Sequence, residues 1–439
     1  MAFVPFWYIL IAILWTGFFV LEGFDMGVGM LNRLIGRDED GTRTVINTIG
    51  PLWDGNEVWL IVAGAATFAA FPDWYATWFS GLYLALVLLL AALIVRGVSF
   101  EYRTKRDSGR WRNTWSWLLA IGSLLAPLLI GIALGDLLHG LPIGANHEYT
   151  GSFWDLLTPY GIFVGLTLVA ICLLHGAIFI GMKTTGDVRF RADRFARRMA
   201  PVTAAFVLAF IGWTHVTASR GGFLNPVELL AALAIFAAWA LAGDRREGWA
   251  FTATTITIAL CIISLFVDLY PDVMVSSTKR AFSLTAHNSA SPPYTLKVMT
   301  FVALIFLPVV LLYQGWTYYV FRRRITGDTY RPAGATTPRP AVSAAMAMTS
   351  GRGAGPTGRA SQGGQARAGR RAGHGGDRAA EAASPQSQLG SPQSQPGSPH
   401  SLATESRARW QALLSGVGRR SQSGKAPRQS AKAPRGGRR

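Results

Sequence analysis

The sequence predicts an all-α, polytopic integral membrane protein. Half of the 439 residues are hydrophobic and 15% are charged. Apolar stretches long enough to span a bilayer recur along residues 1–330, and a membrane-spanning helix needs about 20 such residues. These uninterrupted runs do not fit the alternating pattern of a membrane β-barrel. We therefore expect about nine transmembrane helices, followed by a tail of different composition.

The first predicted span lies at the N-terminus and lacks the basic region and small-residue cleavage site of a signal peptide. It is therefore interpreted as a retained helix. The nine predicted spans lie at residues 6–31, 48–70, 78–98, 114–137, 159–182, 199–219, 227–242, 250–268 and 298–320.

Lysine and arginine residues are concentrated in alternate loops between the predicted spans. The loop after the third span carries five basic residues, whereas the loops at 71–77 and 139–158 carry none. Because basic loops stay in the cytoplasm, the N-terminus is predicted outside and the C-terminal tail inside.

The C-terminal segment, residues 331–439, accounts for most of the net charge of +18. It holds 18 lysine or arginine residues against three acidic ones, and is rich in Gly, Ser, Pro and Gln. Such a composition cannot bury a core, so a disordered basic tail is predicted. The charge of the tail gives no reason to expect the membrane domain, residues 1–330, to bind nucleic acid.

A weak internal repeat divides the membrane domain into two four-helix units, at about 1–138 and 159–268, with an extra helix at 298–320. Gly135-Asp136-Leu137 ends the fourth span and Val267-Asp268-Leu269 ends the eighth. An even number of helices per unit would give both units the same orientation in the membrane.

Four carboxylic acids fall inside the first two predicted spans, where charge is costly: Glu22, Asp25, Asp54 and Glu57. Each pair is spaced i, i+3, so its two members share one face of a helix. Measured from the inner ends of their spans, Asp25 and Asp54 lie about 9 Å deep, and Glu22 and Glu57 about 13 Å. Two layers at matched depth indicate a hydrated route for protons.

The alternative is that these acids are capped or paired locally, with Asn56, Arg96 or the backbone as partners. Glycines at 23, 27, 29 and 55 would let neighbouring helices approach closely and keep any route narrow.

Two histidines within spans, His175 and His215, are the candidate haem ligands of this chain. They lie about 10 Å and about 24 Å from the inner ends of their helices, so they cannot hold opposite faces of one haem. Either histidine could still ligate a haem alone, but a buried, hydrogen-bonded histidine is the favoured interpretation of each. Cys172 and Cys261 are predicted to be small buried hydrophobes. No metal site or haem-attachment motif was identified.

Three stretches resemble the second subunit of cytochrome bd-type quinol oxidases, and the resemblance covers about residues 1–330. The second stretch holds Trp53, Asn56 and Trp59 beside Asp54 and Glu57. The stretches are 22–31 (EGFDMGVGML), 51–60 (PLWDGNEVWL) with 68–72 (FAAFP), and 271–277 with 294–300 (YTLKVMT) leading into the last span.

The resemblance implies a heterodimer in the bacterial cytoplasmic membrane. The partner, subunit I, would hold the b-type and d-type haems and the quinol site, and no cofactor is assigned to this chain. It also implies that Asp54 matches an acidic residue on the family's cytoplasmic proton path. Family members can hold a quinone in this subunit, and small accessory subunits are allowed for, but no residues are assigned to either.

Two other classes of function remain open from the sequence. The repeat and the buried acids would also suit a secondary transporter, although an odd ninth helix fits that class poorly. A purely structural membrane scaffold would make the four acids incidental.

Overall fold

The computed structural model describes residues 3–218, 224–244 and 246–325. Within these residues the chain forms eleven α-helices and one two-stranded antiparallel sheet. The predicted tail, 331–439, lies outside the described residues, so its disorder stays a prediction. The helices are α1 (Phe3–Gly36), α2 (Glu39–Asn47), α3 (Trp53–Ala70), α4 (Pro72–Gly81), α5 (Tyr83–Tyr102), α6 (Gly109–His139), α7 (Pro159–Lys183), α8 (Gly186–Thr217), α9 (Pro226–Gly243), α10 (Glu247–Leu269) and α11 (Pro293–Val320).

Nine of these helices overlap the nine predicted spans, and the all-α polytopic prediction is confirmed. Eight are long and apolar enough to cross a membrane: α1 and α5 to α11. The ninth, α3, has 18 residues but carries Asp54, Asn56 and Glu57 near its start. With these polar side chains near its start, α3 is not among the eight helices that are apolar enough to cross a membrane by length and composition.

The predicted ends of the first three spans were wrong. Helix α1 continues to Gly36, and α3 begins at Trp53, because the connection between them folds into the short helix α2. Asp38 caps α2 by accepting a hydrogen bond from the Gly41 amide at 2.6 Å. Asp54 therefore lies in the first turn of α3, nearer the start of its helix than predicted. The third span begins at Tyr83, because residues 78–81 belong to the separate helix α4.

Helix α1 lies at the centre of the fold, packed against α3, α6, α7 and α10. Its closest approach is to α7, where Gly27 faces Gly176. A Cβ atom at Gly27 would collide with the carbonyl oxygen of Cys172, and one at Gly176 would meet the backbone of Gly27 at 2.5 Å. Helix α11, in contrast, is packed loosely against the rest of the chain, and Leu296 is its one buried residue.

The connections lie at two ends of the helix bundle. One end, called the basic side below, holds the connections at 37–52, 103–108 and 184–185. The opposite side holds 140–158 and 270–292, which include the strands β1 (Asp272–Met274) and β2 (Leu284–Thr285) and the one-turn 3-10 helices Phe153–Leu156 and Arg280–Phe282. The two longer connections are joined where the Leu141 amide donates to the Val275 carbonyl at 3.0 Å.

A candidate proton site between the first helices

Arg96 of α5 lies at the centre of a buried ionisable cluster between α1, α3 and α5. Its Nη2 is 2.5 Å from Oε1 of Glu22, and both side chains are 0% exposed. Its Nη1 donates to Oε2 of Glu57 at 3.0 Å. One guanidinium thus joins a carboxyl of α1 to a carboxyl of α3, so the local pairing with Arg96 that the sequence offered as the alternative is present.

Asn56 of α3 extends the cluster to the last helix. Its Nδ2 donates to Oδ2 of Asp25 at 2.6 Å. Its Oδ1 accepts from Nε2 of Gln314 at 2.7 Å and from the Tyr318 hydroxyl at 3.1 Å, both on α11. Sequence analysis missed Gln314 and Tyr318, although a lone amide within the apolar run of the last span is a signal that could have found Gln314.

The four predicted acids do not share one environment. Glu22 and Asp25 are fully buried, and the Glu57 side chain is 22% exposed. Asp54 is exposed and lines an open groove between α3 and α5, together with Glu57, Trp53 and Gly97.

Glu22 and Glu57, which were predicted to lie at one depth, meet at Arg96, whereas Asp25 and Asp54 do not meet. Asp25 contacts Asn56 instead. Successive residues of a helix are rotated by about 100°, so Asp54 is turned about 200° from Asn56. When Asn56 faces α1, Asp54 has to face the open side of α3.

Two tryptophans of the second resembling stretch pack α3 against its neighbours. Trp53 stacks on Phe100 of α5 with ring centroids 4.7 Å apart. Trp59 is buried against α1, where a Cβ at Gly17 would lie 2.7 Å from its ring. Any side chain at residue 17 would collide with this indole, so glycine allows Trp59 to pack against α1.

The cluster holds three carboxyl groups and one guanidinium; Glu22 and Asp25 are fully buried, and Glu57 is partly exposed at the groove. One cation offsets one negative charge, and unpaired charges are costly in a buried site. The remaining carboxyls can therefore hold protons, which suits a group of side chains that takes up and releases them.

The two histidines within spans, His175 and His215, contact other side chains outside the buried cluster. His175 Nδ1 is 2.7 Å from the Thr254 hydroxyl, and its ring stacks on Phe251 at 4.4 Å. His215 Nδ1 is 3.1 Å from Oε2 of the buried Glu228. Cys172 and Cys261 are free and buried, as predicted. Among the described residues there is no group of three His, Cys, Asp or Glu that could hold a metal ion.

These features define the class: an all-helical, polytopic membrane protein that buries an ionisable cluster between its first, second and third long helices. Residues 4–321 match the family model described as cytochrome bd terminal oxidase subunit II. The chain belongs to this family, and the resemblance drawn from the sequence is confirmed.

Relatives of known role support this membership. The chain is 42% identical to cytochrome bd ubiquinol oxidase subunit 2 of Bacillus subtilis, over 73% of this chain and 96% of the relative. It is 39% identical to cytochrome bd-I ubiquinol oxidase subunit 2 of Escherichia coli strain K12, over 73% and 95%. These relatives are subunits of a quinol oxidoreductase complex.

A solved structure of a bd oxidase from Geobacillus thermodenitrificans has a similar fold. The TM-score is 0.58 at 18% sequence identity, with 73% of this chain and 99% of that chain covered. At this identity the likeness concerns the fold alone.

Proposed function

We propose that this chain is the second subunit of a quinol oxidase of the bacterial cytoplasmic membrane, with its N-terminus outside. Its partner, subunit I, would carry the b-type and d-type haems, oxidise quinol and reduce oxygen to water. Family membership supports this function over the secondary transporter.

The contacts of the two histidines within spans support placing the haems in the partner. His175 is 0% exposed and enclosed by the rings of Phe24 and Phe251. His215 is paired with Glu228. The haems are therefore assigned to the partner.

The role we assign to this chain is to pass cytoplasmic protons to the partner, because oxygen reduction consumes protons. The observation that carries this role is the cluster itself, in which Arg96 joins Glu22 to Glu57 and Asn56 joins Asp25 to α11. Glu57 is the member that reaches the open groove, and Asp54 lies one helical turn from it on the same side.

The face formed by α3, α5 and α11 is where we place the partner. Helix α11 is long and apolar, yet Leu296 is its one buried residue. It also carries the two side chains that complete the hydrogen bonding of Asn56. A subunit covering this face would enclose the groove and receive protons at Asp54.

Substitution of Asp54 tests this role. Asp54→Asn keeps the size and most of the hydrogen-bonding capacity but cannot carry a proton. The variant complex is expected to assemble with normal haem spectra and to lose at least about tenfold in quinol-dependent oxygen uptake. Asp54→Glu should retain more activity, because it restores a carboxyl at a slightly shifted position.

The matched control is Asp73→Asn, an exposed acid in the first turn of α4 on the opposite side, which should keep the parent rate. Asp25→Asn should act in the same direction as Asp54→Asn, with milder effects for Glu22 and Glu57. Oxygen uptake by Asp54→Asn equal to that of the parent would remove Asp54 from the path.

A further inference from the structure

Three neighbouring helices repeat a polar residue at a spacing of seven. Asp25 and Asn32 lie on α1, Arg96 and Arg103 on α5, and Ser116 and Ser123 on α6. All six are at most 5% exposed. Seven residues are close to two full turns, so each pair lies on one face of its helix with about 10 Å between its members.

Asp25 and Arg96 form one layer, and Asn32, Arg103 and Ser116 form a second layer nearer the basic side. Within the second layer, Asn32 and Arg103 both contact Ser116. Arg103 Nε donates to the Ser116 hydroxyl at 2.8 Å. Asn32 Nδ2 donates to the Ser116 carbonyl at 3.0 Å and to the Gly29 carbonyl at 2.7 Å. Polar groups of α1, α5 and α6 therefore meet about 10 Å from the buried cluster, on its basic side.

Ser123 lies between the two layers. A Cβ atom at Gly29 would collide with its hydroxyl, so this side chain lies directly against the backbone of α1. Gly29 is one turn from Asp25 and one turn from Asn32, so the contact of Ser123 with α1 lies between those two residues.

The second layer opens to water at Glu39, the first residue of α2. Arg103 Nη2 donates to Glu39 Oε2 at 2.7 Å, and the Glu39 side chain is 46% exposed. Arg112 Nε lies 3.4 Å from its other oxygen. An exposed carboxylate thus marks the surface end of a column of buried polar groups.

Several buried atoms along this column have no hydrogen-bond partner among the described residues. They include Asn32 Oδ1, Ser123 Oγ, Arg96 Nε and Glu22 Oε2. Buried polar atoms are nearly always satisfied, and those without a protein partner commonly bind ordered water. About three waters at ordinary hydrogen-bond spacing would bridge 10 Å.

We propose that this column, called the entry seam, is the path by which protons reach the buried cluster from the basic side, with Glu39 as the collecting carboxylate. The seam runs from Glu39 past Asn32 and Ser123 to Glu22 and Asp25. This proposal rests on the proposed function and adds the place where protons enter. Asp54 and Glu57 then form the exit towards the partner.

The two arginines of the seam do not carry protons, because a guanidinium stays protonated in proteins. Arg103 is offset by Glu39, and Arg96 by Glu22 and Glu57. Each arginine therefore fixes the carboxyls beside it, and water held by the Asn32 amide and Ser123 hydroxyl moves the proton.

The test uses the assembled oxidase complex with Glu39→Gln, Asn32→Leu and Ser123→Ala. The matched controls are Glu101→Gln, another exposed acid at the basic side, and Ser264→Ala, a buried serine of α10 whose hydroxyl donates within its own helix at 2.8 Å. Oxygen uptake is measured against pH, and proton uptake is followed with a pH-sensitive dye after oxygen is mixed with the reduced complex.

Glu39→Gln is expected to slow proton uptake about tenfold at alkaline pH, because a surface charge that collects cations is lost. The defect should shrink at acid pH, where bulk protons are abundant. Asn32→Leu and Ser123→Ala should slow uptake at every pH, and both controls should match the parent. Ser123→Ala is the smaller change, because it removes one oxygen atom. If Asn32→Leu lowers assembly of the complex, proton uptake by Ser123→Ala decides the result.

Glu22→Gln separates failure of the seam from failure of the proposed function. If it loses turnover while the three seam variants match their controls, the seam is overturned and protons enter elsewhere, as at the Asp54 groove. If Glu22→Gln and Asp54→Asn both keep the parent rate as well, the proton role of this chain is overturned together with the seam.

Discussion

Arg96 joins the two glutamates of the buried cluster. It is fully buried and contacts Glu22 and Glu57 on two different helices. A buried carboxyl that loses its cation is left either as an unpaired charge or as a proton-bearing acid. The position of Arg96 therefore governs both the stability of the α1, α3 and α5 packing and the charge that the cluster can hold.

Arg96→Gln is expected to destabilise the complex, because removing one partner of a buried ion pair typically costs about 3–5 kcal/mol. Thermal unfolding of the solubilised complex measures the loss. Adding Glu22→Gln should recover part of it, because the second substitution removes the carboxylate that lacks a partner. Arg194→Gln, at an exposed site on α8, is the control. Unchanged thermal stability of Arg96→Gln would show that Arg96 is not structurally required.

Residue types alone revealed part of this site. Acids and an arginine within apolar spans stand out in any sequence, and so Glu22, Asp25, Glu57 and Arg96 were found. Asn32 and Ser116 were missed because neutral polar residues are common in membrane helices and carry no signal until their neighbours are known.

At the scale of elements, the contact between α1 and α7 depends on glycine. Gly27 and Gly176 face each other so closely that either Cβ would enter the opposite backbone. Membrane helices pack through van der Waals contact and not through the hydrophobic effect, so this close approach contributes directly to their association.

Gly27→Ala should therefore lower the thermal stability of the complex by about 1–3 kcal/mol, the usual cost of overpacking. Gly212→Ala is the matched control, because Gly212 lies in α8 with no atom within 4 Å of the added Cβ. Both variants gain the same methyl group and the same helix propensity. Equal stability of the two variants would contradict the close packing of α1 and α7.

For the whole molecule, the charge of the connections predicts which side faces the cytoplasm. The basic residues near Arg103 and Arg112 are at the same end as the entry seam. The longer connection at 140–158 is at the other end and has no lysine or arginine. The proposed direction of proton uptake requires the first of these ends to be cytoplasmic.

Single cysteines report this orientation in intact cells, because the native Cys172 and Cys261 are buried and should react little. A membrane-impermeant maleimide should label Asn146→Cys from outside. Asp107→Cys, at a fully exposed side chain on the basic side, should react after the membrane is permeabilised. The reverse pattern would invert the orientation and with it the direction of proton entry.

The sequence by itself determined the number of long helices, their approximate places and the family. This was possible because in a bilayer each backbone must satisfy its own hydrogen bonds, so an apolar run of sufficient length has to become a helix. It also located the acids that are expensive to bury. Helix ends were less certain, because α2 and the start of α3 depend on capping and on the turn between them.

The tertiary structure alone decided which polar groups meet. The rotation of α3 about its axis turns Asn56 towards Asp25 and Asp54 towards the open groove. The crossing of α1, α5 and α6 aligns their polar residues into one seam. Both depend on how helices pack against each other, and helix rotation and crossing are set by contacts between side chains far apart in the sequence.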